Sequence, residues 1–315
     1  MFRAIAVRFL SKQAVSKVPE RNYIPRRALM YVPGDDYKKI NKAFGLDVDC
    51  IALDCEDGVA LNKKDARSNI RAVLDQGKPQ KKKNYDFGVR VNSIESGLCH
   101  QDLESCLTGR NLPDTVLFPK VEEGDHLKWF ADEIRHLIKN NGKINLIIYI
   151  ETARAFINLN EICKTAMQLS KRFNFIPSAL VFGSDDFCAN IGQRIHWKFC
   201  MHGKKLVLVA KAYNLQAIDM VYIEYKDLDG LKLQCEQGMR MGYTGKQVIH
   251  PGQVPVVQEA FLPTKYQIEW AEGLLKSFEE HQKSGKGAFS YRGSMIDMPT
   301  MKQAQNIMKL ANLAE

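Results

Sequence analysis

No stretch of the 315-residue sequence approaches the ~20 uninterrupted apolar residues of a bilayer-spanning helix; the longest apolar runs, such as Leu146–Ile150 and Ala179–Phe182, have strand length. No membrane partner is expected. The eight cysteines, at 50, 55, 99, 106, 163, 188, 200 and 235, include no C-x-x-C pair and mostly lie beside apolar neighbours. That pattern fits buried free thiols better than disulfides or a zinc site. His196, Cys200 and His202 lie close in sequence but lack the second ligand cluster of a zinc motif. No G-x-G-x-x-G follows a strand-like run, which removes the main reason to expect a dinucleotide-binding fold. Neither a solenoid repeat nor a low-complexity segment is present.

Acids are missing from the start of the chain. Nothing acidic precedes Glu20, whereas Arg3, Arg8, Lys12 and Lys17 do, and Phe2, Ile5, Ala6, Phe9 and Leu10 fall on one face of a short helix. A basic, acid-free, amphipathic start predicts a mitochondrial transit peptide over residues 1–22 and a matrix location, whose reducing chemistry suits free thiols. The whole chain carries 45 Lys and Arg against 36 Asp and Glu, a formal net charge of +9. The densest basic run, Lys81–Lys83, has no interleaved aromatics, so a solvated loop is expected and nucleic-acid binding is not.

Against these absences stands a regular series of short, β-rich apolar runs: Leu29–Val32, Cys50–Asp54, Gly88–Asn92, Thr115–Lys120, Asn145–Glu151, Ala179–Gly183, Ala217–Tyr222 and Gln247–His250. Segments of helical spacing fill most gaps, for example Leu98, Leu103 and Leu107. Strands alternating with helices argue for a parallel sheet, and near-continuous apolar strands for burial on both faces. Eight such units predict an α/β fold, a (β/α)8 TIM barrel over residues 23–262. After it, Tyr266–Gln282 reads as an amphipathic helix, Ser284–Gly287 as a break, and the rest as a segment ending in a last helix to about Asn312. Residues 263–315 are therefore expected to form a C-terminal helical extension.

Reactive groups of such barrels sit at the C-terminal ends of the strands. Pro33-Gly34-Asp35-Asp36 follows the first run; Asp54, Glu56 and Asp57 end the second; Arg90 and Asn92 the third; Lys120 the fourth; Glu151 the fifth; Asp185 and Asp186 follow the sixth; Asp219 lies in the seventh; His250 ends the eighth. Any one of them reads equally well as a helix cap or surface charge, but scattered placement would not favour one end. Glu151 and Asp186 are oxygen ligands suited to one hard divalent ion, since Mg2+ takes only one or two carboxylates. Arg90 offers a planar fork to a carboxylate. Lys38 and Lys42, four residues apart, present two charges that suit phosphate groups or simply a solvated helix face. A strand-end lysine such as Lys120 is also compatible with Schiff-base chemistry.

The segments RRALMYVPGDD (26–36), LDCEDGVA (53–60), VRVNS (89–93), LFPKVE (117–122), IETARAF (150–156), VFGSDDF (181–187), AYNLQAIDMVY (212–222), GYTGKQVIHPGQ (242–253) and GSMIDMP (293–299) together resemble the CitE-like branch of the HpcH/HpaI aldolase superfamily. The resemblance implies a homotrimer with Mg2+ on Glu151 and Asp186, and CoA or substrate contacts at Tyr31, Lys38, Lys42, Arg90, Ile249 and His250. It implies that Asp297 is the catalytic residue, on a tail that crosses to a neighbouring subunit. Glu56 and Asp57 are expected to orient metal-bound waters. The implied reaction is reversible cleavage of (3S)-citramalyl-CoA to acetyl-CoA and pyruvate, with minor malate or β-methylmalate synthase activity. One segment departs from the family pattern. Gln193–Gly203 reads QRIHWKFCMHG, is a few residues short, and lacks the arginine that relatives carry there. It leaves a non-catalytic CoA-binding or scaffold protein on the same fold as the alternative reading.

Overall fold

The computed structural model describes residues 24–59, 63–80, 84–139, 142–192, 200–284 and 289–312. The basic N-terminal segment, the Lys81–Lys83 run, most of the divergent segment after Gly192 and the glycine break at 285–287 lie outside them.

Eight strands form the sheet: β1 (Ala28–Pro33), β2 (Cys50–Asp54), β3 (Asp86–Arg90), β4 (Thr115–Phe118), β5 (Ile144–Ile150), β6 (Phe175–Phe182), β7 (Gln216–Asp219) and β8 (Gly245–Val248). They pair in sequence order, all parallel, and β8 closes on β1 with Ala28 opposite Lys246 and Met30 opposite Val248. The expected (β/α)8 barrel is what the chain forms. Every residue of β2, β3 and β4 is buried, as strands with a lumen on one side and helices on the other require. Alternation divides the two sides. Leu29, Cys50, Ala52, Leu117, Ile147, Tyr149, Val181 and Ile218 fill the lumen, while Met30, Val32, Ile51, Leu53, Val89 and Val116 pack beneath the helices. The lumen is thus a packed core and not a pore. The ladder slips once, between Leu146 and Ile147 on β5. Opposite lies Pro177, which has no N–H to donate, and the Ser178 hydroxyl donates to the Leu146 carbonyl instead, at 3.1 Å.

Four strands end two or more residues earlier than their apolar runs imply. β3 stops at Arg90, β4 at Phe118, β7 at Asp219 and β8 at Val248. Asn92, Lys120, Tyr222 and His250 therefore stand in the loops. In the fourth case the backbone itself turns away: Lys120 has φ +52°, a left-handed conformation that cannot continue a strand.

Beyond the barrel, helices Lys265–Ser284 and Met298–Asn312 pack on one another. Ala271, Leu274, Phe289, Met301 and Ala304 make a small apolar core separate from the barrel's. Between the helices the chain makes a hairpin that the sequence pattern did not announce, β9 (Ser290–Tyr291) against β10 (Ser294–Met295). Its two turn residues, Arg292 at φ +49° and Gly293 at φ +81°, have the positive angles of the tight turn that matches strand twist.

Candidate active site

Two adjacent strands set the first part of the site. Asp54 and Arg90, the last residues of β2 and β3, are partners in the ladder register and so point the same way. Arg90 Nε and Nη2 donate to the two Asp54 oxygens at 2.7 and 2.6 Å. Asp54 also accepts the Glu56 and Gly58 N–H groups at 2.9 and 2.7 Å, folding the loop after β2 back over the strand. A Cβ on Gly58 would stand 2.4 Å from Asp54 Oδ2, so only glycine fits. Arg90 Nη1 lies 2.9 Å from Glu56 and 3.7 Å from Asp57, and the guanidinium sits 4.5 Å from the centre of the Tyr31 ring. Burial works against the Arg90 charge, but Asp54 outweighs it and holds the pKa well above normal. The side-on edge of the guanidinium is therefore spent on Asp54. A ligand carboxylate has the Nη1/Nη2 end to meet, where Glu56 now lies.

Lys120 and Glu151 supply the second part. Glu151 directly follows β5, is buried, and accepts the Lys120 backbone N–H at 2.9 Å. It lies across Gly183, where a Cβ would come within 2.3 Å of its Cγ. Gly183 in turn leads into helix Ser184–Ile191, which carries Asp186 in its first turn. The Lys120 ammonium reaches between carboxylates, 3.5 Å from Glu56 and 3.9 Å from Asp186. Partial burial pulls its pKa down, but Glu56 and Asp186 win and raise it. A lysine held protonated is a poor Schiff-base nucleophile.

These carboxylates crowd one another. Burial, then the neighbouring Glu56 and Asp186, lifts Glu151 to about 8. Burial lifts Glu56 to about 7 against the pull of Arg90, and Asp186 is raised mainly by burial, against Lys120. Neither buried Glu56 oxygen has an aligned hydrogen bond among the described residues; the 2.9 Å approach of Arg90 Nη1 is an ion pair without good N–H direction. Excess buried negative charge with unspent lone pairs suits a hard divalent cation, which replaces the missing counter-charge. Glu151 and Asp186 could hold such an ion, and Glu56 and Asp57 its waters. Among the described residues no three His, Cys, Asp or Glu side chains make a protein-only metal cage.

Other expected site residues fall at differing distances from this centre. Lys38 is exposed and lines an open cavity of about 600 Å3 with Pro33, Asp36 and Gly58. Lys42 lies one turn further along the same helix, Tyr37–Phe44, exposed and outside that lining. Asp36 caps the helix, accepting the Lys39 N–H at 3.0 Å. Ile249 is exposed at the end of β8. His250 next to it stacks on Tyr225 at 4.8 Å, and its Nδ1 accepts the Gly252 N–H at 3.1 Å. Asp297 is exposed and caps helix Met298–Asn312, bonded to the Thr300 amide at 2.9 Å and hydroxyl at 2.6 Å. Those bonds hold its carboxyl below the usual range.

Two of the strand-end polar residues are structural. Asn92 bridges the Cys55 carbonyl and Asp102 at 2.8 and 2.6 Å. Asp219 faces outward under helix Leu228–Met241 and pairs with the fully buried Lys246 at 2.9 Å. Sequence reasoning missed the anchoring role of Asp54 and the charge-bridging role of Lys120; the one signal for Asp54 was its place at a strand end beside Arg90's strand. Seven of the cysteines are free and buried, as their apolar neighbours imply.

The family model for HpcH/HpaI aldolase/citrate lyase matches residues 27–251. The chain is 44% identical to the mitochondrial citramalyl-CoA lyase of Rattus norvegicus, across 98% of this chain and 93% of that protein. It is 46% identical to the mitochondrial citramalyl-CoA lyase of Homo sapiens, across 94% and 88%. Among solved structures, CitE of Mycobacterium tuberculosis in complex with magnesium, acetoacetate and coenzyme A aligns with a TM-score of 0.69 at 24% identity, covering 91% of this chain and 98% of that one. That likeness bears on the fold.

Proposed function

We propose that this chain, which belongs to the HpcH/HpaI aldolase/citrate lyase family, is a Mg2+-dependent carbon–carbon lyase that splits (3S)-citramalyl-CoA into acetyl-CoA and pyruvate. The observation that carries the reading is the convergence of Glu56, Glu151 and Asp186 on Lys120, beside an Asp54-anchored Arg90, at the C-terminal mouth of the barrel. The 44% and 46% identities to mitochondrial citramalyl-CoA lyases support that substrate and a mitochondrial location.

Glu151 and Asp186 would hold Mg2+, which when bound would supply Lewis-acid polarisation of the oxygen that becomes the pyruvate carbonyl. The Nη1/Nη2 end of Arg90 holds the substrate carboxylate, fixed in plane by Asp54. Lys38 and Lys42 meet the phosphates of CoA at the rim of the first strand, with Tyr31, Ile249 and His250 lining the approach. As the bond breaks, the alcohol oxygen becomes the pyruvate carbonyl and releases its proton to solvent, and the bond's electron pair becomes a thioester enolate that needs a proton at carbon. Asp297 delivers it in the acid form, and as carboxylate takes a proton from the acetyl-CoA methyl in the reverse direction.

On its own helix Asp297 is solvated and held ionised. Transfer to a buried mouth already rich in carboxylates raises its pKa, which is what an acid needs. We therefore assign residues 263–315 as an arm that completes the site of a neighbouring subunit in a homotrimer, and residues 1–22 as a transit peptide preceding the barrel at 23–262. The same constellation permits condensation of acetyl-CoA with glyoxylate, a minor malate synthase activity. The buried carboxylates favour a lyase over a scaffold, which has no use for their desolvation cost.

The deciding experiment is acetyl-CoA release from citramalyl-CoA with Mg2+ or EDTA, in the wild type, Glu151→Ala and Asp297→Ala. Turnover that needs Mg2+ and is lost in both variants is expected. Folded wild type that binds CoA without turnover would instead establish the scaffold.

A further inference from the structure

Below the mouth, the lumen contains a hydrogen-bonded chain with no part in the bond-making just described. Gln247 on β8 is 6% exposed, and its Nε2 donates to the Phe182 and Asp219 carbonyls at 2.9 and 3.0 Å. Both amide hydrogens are thereby used, and Oε1 turns to the Tyr31 hydroxyl at 2.8 Å. A carboxamide oxygen can only accept, so Tyr31 donates to it. The 2.6 Å contact between Tyr31 and Tyr149 then has one polarity: Tyr149 donates and Tyr31 accepts. The order Tyr149 to Tyr31 to Gln247 crosses the barrel from β5 through β1 to β8. Both phenol protons are committed inside the chain. What Tyr31 presents upward is its ring, with the Arg90 guanidinium 4.5 Å from the centre.

We propose that Gln247 is a positioning residue: through Tyr31 it fixes the platform on which Arg90 lies, so that the Nη1/Nη2 end of Arg90 stays aimed at the carboxylate of the oxo acid. Asp54 sets the guanidinium along one edge, but two hydrogen bonds along an edge still allow rocking about that edge. The aromatic face beneath removes it, a cation–π contact that is stronger when desolvated. A buried amide, tied to two backbone carbonyls, accepts the Tyr31 hydroxyl proton and so sets the angle of the ring, with Tyr149 donating to the same oxygen. The inference rests on the reading of Arg90 as the carboxylate-binding group, and its test has an arm that does not depend on turnover.

That arm follows the Arg90 Nε–H resonance by NMR, assigned through its loss in Arg90→Lys, with and without pyruvate, in Gln247→Met, Tyr31→Phe and the double variant. The second arm measures pyruvate and acetyl-CoA KM in the condensation direction. Gln247→Met is expected to speed Nε–H exchange and to raise the pyruvate KM about tenfold each, with acetyl-CoA KM unchanged; tenfold lies within the usual coupling of residues in one network. Tyr31→Phe should speed Nε–H exchange and raise the pyruvate KM to the same extent, and the double variant should be no worse than either single one. Multiplying penalties, or unchanged Arg90 exchange, would overturn the proposal. If Gln247→Met does not fold, Tyr31→Phe, which removes one oxygen, carries the test alone. A wild type without turnover in which the exchange coupling persists would sink the lyase reading and still support the link from Gln247 to Arg90.

Discussion

Asp54 and Arg90 stand opposite each other in the ladder between β2 and β3 and share two hydrogen bonds of 2.7 and 2.6 Å. Both side chains are at least nine-tenths shielded from water. Removing one partner of such a pair leaves a buried charge uncompensated, at a cost of about 3–5 kcal/mol. Asp54→Ala should therefore lower the urea midpoint by that equivalent with an unchanged m-value. The loop at Glu56 and Gly58 loses its tether too, so kcat/KM should fall more than 100-fold in whatever fraction remains folded, on the order of the 2.7 kcal/mol lost with one preorganised donor. An unchanged midpoint would refute the anchoring role.

The crowded carboxylates predict how metal-free stability depends on pH. Glu56 and Glu151 have folded values of about 7 and about 8, above their ordinary 4.5. Between those limits the folded state binds more protons than the unfolded one, so stability falls as pH rises. Thermal unfolding in EDTA should show a midpoint that declines from pH 5 to pH 8. Glu151→Gln should flatten the decline. Mg2+ should flatten it as well, and calorimetry in buffers of different ionisation heat should register proton release on binding.

Lys120 tests the competing chemistry. Its ammonium is stabilised by Glu56 and Asp186, so incubation with pyruvate and borohydride should give no mass increase on the protein. A trapped adduct mapped to Lys120 would replace the metal-dependent mechanism with a Schiff-base one.

Asp297 should separate catalysis from stability. As an exposed cap of the last helix it adds little to stability, yet Asp297→Ala should abolish turnover. A chain ending near Gly285, mixed with Asp186→Ala, should regain activity if arms serve neighbouring sites. Verified mixed oligomers that stay inactive would show that each arm serves its own barrel.

The barrel was legible because its signal is repeated: eight apolar runs with helical spacing between them leave few other folds. The mouth was legible for a related reason, since polar residues recur at strand ends. What could not be read was side-chain direction. Asn92 ends an apolar run beside Arg90 and Asp219 lies within another, but Asp219 faces the helices and Asn92 ties loops together. A one-residue difference in register separates lumen from helix layer, and no local property of the sequence fixes it. Asp54 was visible as a strand-end acid, whereas its bond to Arg90 depends on the β2–β3 register. Gln247 lay within a recognised segment, but its role emerges only where β1, β5 and β8 meet in space. Asp297 carries its role on the family resemblance; its surroundings within one chain are those of a helix cap.

The packed lumen has a further consequence for traffic. Tyr149, Ile147, Leu117 and their neighbours plug the barrel below Tyr31, which makes the site a blind alley with one opening. Arg90 lies on the Tyr31 ring directly above that plug, while Asp57, Asp186 and Lys38 stay open to solvent. An acid held by Arg90 beneath a bound thioester would have to arrive before it and leave after it, an order that product-inhibition kinetics in the condensation direction would reveal.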